Sequence, residues 1–200
     1  MNLVFKSRFT RMATAVLMTV GAAGAASAAD VVTATTNFGL VAIPYTNGIS
    51  SAQFALPTPF TSSDFFVNDY GFSINTAGSF NSAVVTINLD NILQLSDLSI
   101  RLIQGSAFSG STPTALSAGQ VATRTANTIA FDNVGSTYNI NPVTLTAGNY
   151  FLEVRGRSTG LAGGSYGGAI NIAAVPEPTG LLMAAAGMGM LAFGLRRKNA

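Results

Sequence analysis

The chain contains no cysteine, histidine or tryptophan, and charged residues fill only 9% of its 200 positions. Each absence removes a chemistry. Without Cys or His there is no Ser-His-Asp or Cys-His nucleophile pair, no thiolate, and no zinc site with nitrogen or sulfur ligands. Disulfides are excluded too, so a folded state must rest on core packing. Basic residues are concentrated at the ends: Lys6, Arg8 and Arg11 at one, Arg196, Arg197 and Lys198 at the other. The 147 residues from 29 to 175 hold only Arg101, Arg124, Arg155 and Arg157 against seven acids, a net −3. The formal charge of +2 therefore belongs to the termini, and a basic surface for nucleic acid is not supported. A middle of this length can bury roughly two-thirds of its surface on folding.

What is present at the ends has the form of addresses. Residues 1–28 read as a secretory signal peptide: a basic region ending at Arg11, an apolar run from Ala15 to Ala26, then Ala26-Ser27-Ala28 ahead of Ala29. Small residues at Ala26 and Ala28 mark cleavage before Ala29, and the Sec translocon and signal peptidase are the expected partners. At the other end Val175-Pro176-Glu177-Pro178 precedes seventeen apolar residues, Thr179 to Leu195, and then the basic cluster Arg196, Arg197 and Lys198. As a helix that run spans about 26 Å, slightly short of a hydrocarbon core of roughly 30 Å. Bilayer thinning or snorkelling of the basic residues covers the difference. The basic cluster should stay cytoplasmic, placing residues 29–175 outside.

The order Pro-Glu-Pro, apolar helix and Arg-rich end resembles the PEP-CTERM sorting signal of exported proteins in exopolysaccharide-producing Gram-negative bacteria. The resemblance covers about 25 residues, 176–200. It implies handling by an exosortase, a membrane-embedded, Cys-dependent, transpeptidase-like enzyme. Pro176, Glu177 and Pro178 would be the recognised motif, and Arg196, Arg197 and Lys198 the stop. The protein would be held transiently in the inner membrane, cut near the motif, and delivered to the cell surface or matrix.

Between the addresses the pattern is β. Val85, Ile87 and Leu89 alternate with Thr86 and Asn88; Leu98, Ile100 and Leu102 with Ser99 and Arg101; Tyr150, Leu152 and Val154 with Phe151, Glu153 and Arg155. These period-2 sets predict one buried face per strand. Further strands are expected at Asp69–Asn75, Asn127–Phe131, Tyr138–Leu145 and Ala169–Ala173, with no capped 3.6-residue period between residues 30 and 175. About seven to nine short strands with Gly/Ser/Asn turns predict an all-β, antiparallel sandwich of jelly-roll or immunoglobulin-like type. The runs Asp69–Ile74, Leu98–Ile103 and Leu145–Gly156 resemble the β-sandwich of bacterial pre-peptidase C-terminal domains. They are also similar to the "FxDxA" group of exported PEP-CTERM proteins. The late strand matches that group at Ala147, Gly148, Tyr150, Leu152, Val154 and Gly156. Around Asp69 it departs, with Val67 and Gly71 where Phe and Ala are expected.

Several strings invite a catalytic or binding reading. Gly156-Arg157-Ser158-Thr159-Gly160 spells a G-x-S-x-G elbow, but there is no histidine base and a strand is expected to follow, so it reads as a hairpin. Gly160, Gly163, Gly164, Gly167 and Gly168 suggest a phosphate cradle, yet no lysine lies nearby and no helix follows. Asp64 with Asp69, and Asp90 with Asp97, would be the acid pairs of a calcium loop or a hydrolase. Neither has the EF-hand pattern, and turn formation is the default for such Asp. Tyr45, Phe54, Phe60, Phe65, Phe66 and Tyr166 are core candidates that could instead stack on sugar rings. If the chain is extended there, Phe65 and Phe66 point to opposite faces, so at most one of them is core.

The expectation is a non-enzymatic exported protein with no catalytic residues, metal or cofactor. Its role would be structural or adhesive at the cell surface or in the matrix, in contact with exopolysaccharide. A carbohydrate-binding module is the alternative. A hydrolase, the third class, would lose activity on changing Asp69, Asp90 or Asp97.

Overall fold

The computed structural model describes residues 28–53, 56–109, 113–175, 183–188 and 190. In chain order its elements are β1 (Asp30–Leu40), β2 (Tyr45–Gln53), β3 (Phe65–Ile74), β4 (Gly78–Ile87), β5 (Leu95–Gln104), β6 (Thr114–Ala115), α1 (Ala118–Ala126), β7 (Thr128–Asp132), β8 (Thr137–Leu145), β9 (Gly148–Ser158) and β10 (Gly164–Ala174). The strands form a six-stranded sheet, β6-β1-β3-β9-β5-β7, and a four-stranded sheet, β2-β10-β4-β8.

The two sheets share one apolar core. Phe66, Tyr70, Phe72, Ile100, Leu102, Leu152 and Val154 come from the larger sheet, and Ile49, Phe80, Val84, Ile140, Tyr166, Ile170 and Ile172 from the smaller. The Phe72 and Phe80 rings stack across the interface with centroids 5.6 Å apart. The alternation at Leu98–Leu102 and Tyr150–Val154 therefore marks inward faces, as expected. In β4 the phase is the reverse of the sequence reading. Val85 and Ile87 point outward at 44% and 47% exposure, Leu89 lies beyond the strand at 56%, and Phe80 and Val84 are fully buried. The larger apolar group at Phe80 fixes the parity of the whole strand, because a one-residue slip would turn it to water.

Two further features depart from the expectation. The sandwich is not purely antiparallel: β1 pairs in parallel with β3, Thr35 opposite Asp69. The chain leaves the larger sheet after β1, runs through β2 in the other sheet and returns, so β2 serves as the crossover that parallel strands require. A helix is also present. Ser117 caps α1 and Gln120 closes a capping box, Gln120 N donating to Ser117 Oγ and Ser117 N to Gln120 Oε1. The helix lies on the outer face of the six-stranded sheet, where Val121 packs on Val32, Val67 and Leu116.

Residues 183–188 and 190, inside the expected membrane helix 179–195, are helical and exposed. Among the described residues no helix is long and apolar enough to cross a membrane. Residues 1–27 with Ala26, the motif Pro176, Glu177 and Pro178, the cluster Arg196, Arg197 and Lys198, and Phe54 lie outside the described residues.

Candidate functional site

All four arginines of residues 29–175 sit on one surface, the outer face of the six-stranded sheet and the helix above it. On β9 the inward set Tyr150, Leu152, Val154 leaves Phe151, Glu153, Arg155 and Arg157 to the outside. Asp69 on β3 stands directly opposite Glu153, and Glu153 opposite Arg101 on β5. Two carboxylates facing each other across strands repel, and both are fully buried. Arg124 resolves the conflict from α1. Its guanidinium takes Asp69 in a fork, Nη1 to Oδ1 at 2.9 Å and Nη2 to Oδ2 at 2.7 Å, and reaches Glu153 Oε2 at 2.6 Å. Arg101 donates from Nε to Glu153 Oε1 at 2.8 Å and pairs with it through Nη2 as well. Burial alone would lower the Arg124 pKa; hydrogen bonds and charge from Asp69 and Glu153 outweigh it and leave the guanidinium more firmly protonated than usual.

Beside this closed cluster lies an open cleft of about 530 Å³, within the range of small-ligand sites. Its walls carry Phe65, Phe131, Arg155 and Arg157, and Ser99 and Arg101 stand on its floor. Arg155 lies 3.3 Å from the centroid of Phe65 and Arg157 4.1 Å, so two guanidinium groups share one aromatic ring. Arg155 is also held by Asp30, Nε to Oδ1 at 2.8 Å. Arg157 meets Asp97 at 3.2 Å, and its Nε is buried with no acceptor among the described residues. Phe131, 53% exposed, presents a ring to solvent. The cleft thus offers the exposed Phe131 ring and two guanidinium groups fixed by Phe65, Asp30 and Asp97.

Of the aromatics named from the sequence that are among the described residues, the structure brings only Phe65 to this site. Phe66 and Tyr166 are core and stack on each other at 6.3 Å, and Tyr45 packs at the core margin against Phe38. Tyr166 belongs to β10. Its hydroxyl lies 2.7 Å from both Asn68 Nδ2 and the Tyr70 hydroxyl. Phe60 is half-buried in the turn before β3.

The acid pairs do not assemble. Asp69 is locked to Arg124, while Asp64 accepts from Thr61 N at 2.7 Å in a turn. Asp90 and Asp97 both take positive φ, 47° and 52°, Asp90 in the β4–β5 connection and Asp97 inside β5 at the register shift between Ser96 and Ser99. No group of three acids that could hold a metal exists among the described residues.

The G-x-S-x-G string runs out of β9, where Ser158 donates to Gln53 O at 3.0 Å, and the chain turns back into β10 with no helix. Gly160, Gly164 and Gly168 serve close packing, whereas a Cβ at Gly167 would meet nothing within 4 Å. A Cβ at Gly160 would lie 2.2 Å from Gly163 O, and one at Gly168 2.3 Å from Ala83 O. The sequence reading missed Phe131, Arg155 and Arg157 as site residues. The i, i+2 spacing of Glu153, Arg155 and Arg157 opposite an apolar set was the signal available.

Residues 174–198 match the family model of the PEP-CTERM protein-sorting motif. The match starts at Ala174, the last residue of β10. No curated protein matches the chain. Among solved structures, the pre-peptidase C-terminal domain of a collagenase from Bacillus anthracis is similar at 15% identity over 68% of this chain and 94% of that one, with a TM-score of 0.41. PliG from Aeromonas hydrophila, a periplasmic inhibitor of g-type lysozyme, is similar at 12% identity over 72% and 99%, with a TM-score of 0.39. The chain thus carries a PEP-CTERM protein-sorting motif, which marks an exported protein processed at the membrane with an exosortase as its processing partner.

Proposed function

We propose that the β-sandwich is a structural or adhesive protein of the cell surface or matrix, and that it holds exopolysaccharide in the cleft of the six-stranded sheet. The observation that carries this reading is the convergence of Phe65, Phe131, Arg155 and Arg157 on one open cleft. Sugar rings present apolar C–H faces and dense hydroxyls, which aromatic rings and guanidinium donors match. The Arg155 and Arg157 side chains are 26% and 32% exposed, and their guanidinium groups can donate to a glycan hydroxyl or carboxylate. The reading assigns no catalytic step, metal or cofactor. Residues 1–28 act as the export signal, and the segment from Thr179 to Leu195 as a transient inner-membrane anchor. The same cleft supports a second role, a dedicated carbohydrate-binding module, which differs in requiring one defined glycan.

The test is electrophoretic retention of the exported protein in gels containing the producer's exopolysaccharide or single defined glycans. The double change Phe65→Ala with Phe131→Ala should weaken retention about tenfold, equivalent to about 1.4 kcal/mol. Retention unaffected by that change would sink the cleft as the binding site. Preference for a single glycan would favour the dedicated module.

A further inference from the structure

The fold begins at the residue that signal-peptide removal would expose. Ala29 precedes β1, and both of its backbone groups are already engaged. Its carbonyl accepts from Phe65 N at 2.8 Å, and its N–H donates to Asp64 Oδ1 at 2.7 Å. The Asp64 carboxylate is aimed by its own turn. Oδ2 accepts from Thr61 N at 2.7 Å and from Thr61 Oγ1 at 3.1 Å, and Asp64 N donates to Thr61 O, which leaves Oδ1 pointing at Ala29.

We infer that Asp64 is an intramolecular binding site for the α-ammonium group created when the Ala28–Ala29 bond is cut. The inference rests on the sequence-based placement of that cleavage. Hydrolysis breaks the C–N bond of this peptide. Water supplies a hydroxyl to the Ala28 carbonyl carbon and a hydrogen to the Ala29 nitrogen, which takes up a second proton near neutral pH. The neutral N–H···O contact then becomes a charged pair in the same place, with no backbone movement. Charge-assisted hydrogen bonds are roughly twice as strong as neutral ones. Asp64 is prepared for this role: hydrogen bonds from Ala29 and Thr61 hold its carboxyl below the usual Asp range, and the Arg157 guanidinium adds to the effect. Arg157 is the other charge that Asp64 feels, and it lies on the same side of the domain as the cleft.

The test uses protein purified after export. Mass spectrometry first establishes whether it begins at Ala29. NMR titration of the terminal amine should then give a pKa about half a unit or more above the free value of about 7.7–8.0. Asp64→Asn should return it to that range while keeping an acceptor for the turn. Residues 29–175 contain no lysine, so in a product cut near the sorting motif an amine-selective acetylating reagent modifies Ala29 alone. Acetylation should lower the Tm of the unaltered protein by about 1–3 °C and leave that of Asp64→Asn unchanged. A different mature terminus overturns the cleavage placement and the site with it. An Ala29 terminus whose pKa and Tm ignore Asp64 overturns the site alone.

Discussion

The two sheets bury their inner faces in one core but turn opposite chemistries outward. The six-stranded sheet and α1 carry every arginine of residues 29–175, paired with Asp30, Asp69, Asp97 and Glu153. The four strands of the other sheet contain no ionisable acid or base other than inward tyrosines, and their outward positions are Thr, Ser, Asn, Gly, Ala, Pro142 and two exposed aliphatics. A face left open to water needs only groups that water can satisfy. A face partly roofed by a helix needs pairing, because a carboxylate taken out of water is costly unless matched. Low overall charge is therefore a statement about one side of the molecule, whereas the other side concentrates what charge there is into a network and a cleft.

The largest effect should come from breaking the network. Arg124→Met leaves Asp69 buried without a cation, its one remaining donor being the Phe108 N–H at 3.1 Å, and the loss should be about 3–5 kcal/mol, lowering Tm by about 10 °C; urea and thermal unfolding read it. Adding Asp69→Leu should recover at least about 1 kcal/mol of that, since Glu153 keeps Arg101. A second loss as large as the first would mean that packing of α1, rather than charge pairing, is at stake.

The interior between the faces should respond less. Tyr166→Phe strands Asn68 Nδ2 and leaves the Tyr70 hydroxyl with Ser50 O alone, 3.3 Å away, a loss of about 1–3 kcal/mol. Burial raises the hydroxyl pKa of both Tyr166 and Tyr70. Above about pH 10 the unfolded chain gives up these protons and the folded chain keeps them, so stability falls as pH rises. In Tyr166→Phe that alkaline fall should be shallower; an unchanged slope in pH-dependent urea titrations would assign it elsewhere.

The smallest effect belongs to the neutral face. Val85→Thr with Ile87→Thr should change stability by no more than about 0.5 kcal/mol and leave glycan retention intact. Loss of retention there would move the binding surface to the other sheet.

Much of the architecture was legible as alternation, at Leu98–Leu102 and Tyr150–Val154, because those strands carry consistent apolar parity. At β4 two competing apolar sets, Phe80 with Val84 and Val85 with Ile87, shared one strand, and only the partner sheet decides between them. The helix carried a readable capping box in Ser117 and Gln120, but its Ala/Thr-rich body lacks an apolar stripe. The parallel β1–β3 pair had no local signal at all, since it follows from where β2 goes. The cleft was half legible. The arginines could be counted and two of them placed on one strand face. Their meeting with Phe65 and Phe131 depends on pairings between strands far apart in the chain.

The position of β10 has a consequence for timing. Among the described residues it is the last strand made, yet it lies between β2 and β4, and β2 has no other ladder partner there. Residues 45–53 must wait for residues 164–172, more than a hundred positions later. Pairings of such long range close slowly, typically in milliseconds to seconds. A chain truncated before Gly164 cannot complete this sheet, so the inner face of the six-stranded sheet lacks its full cover almost until the sorting motif is made.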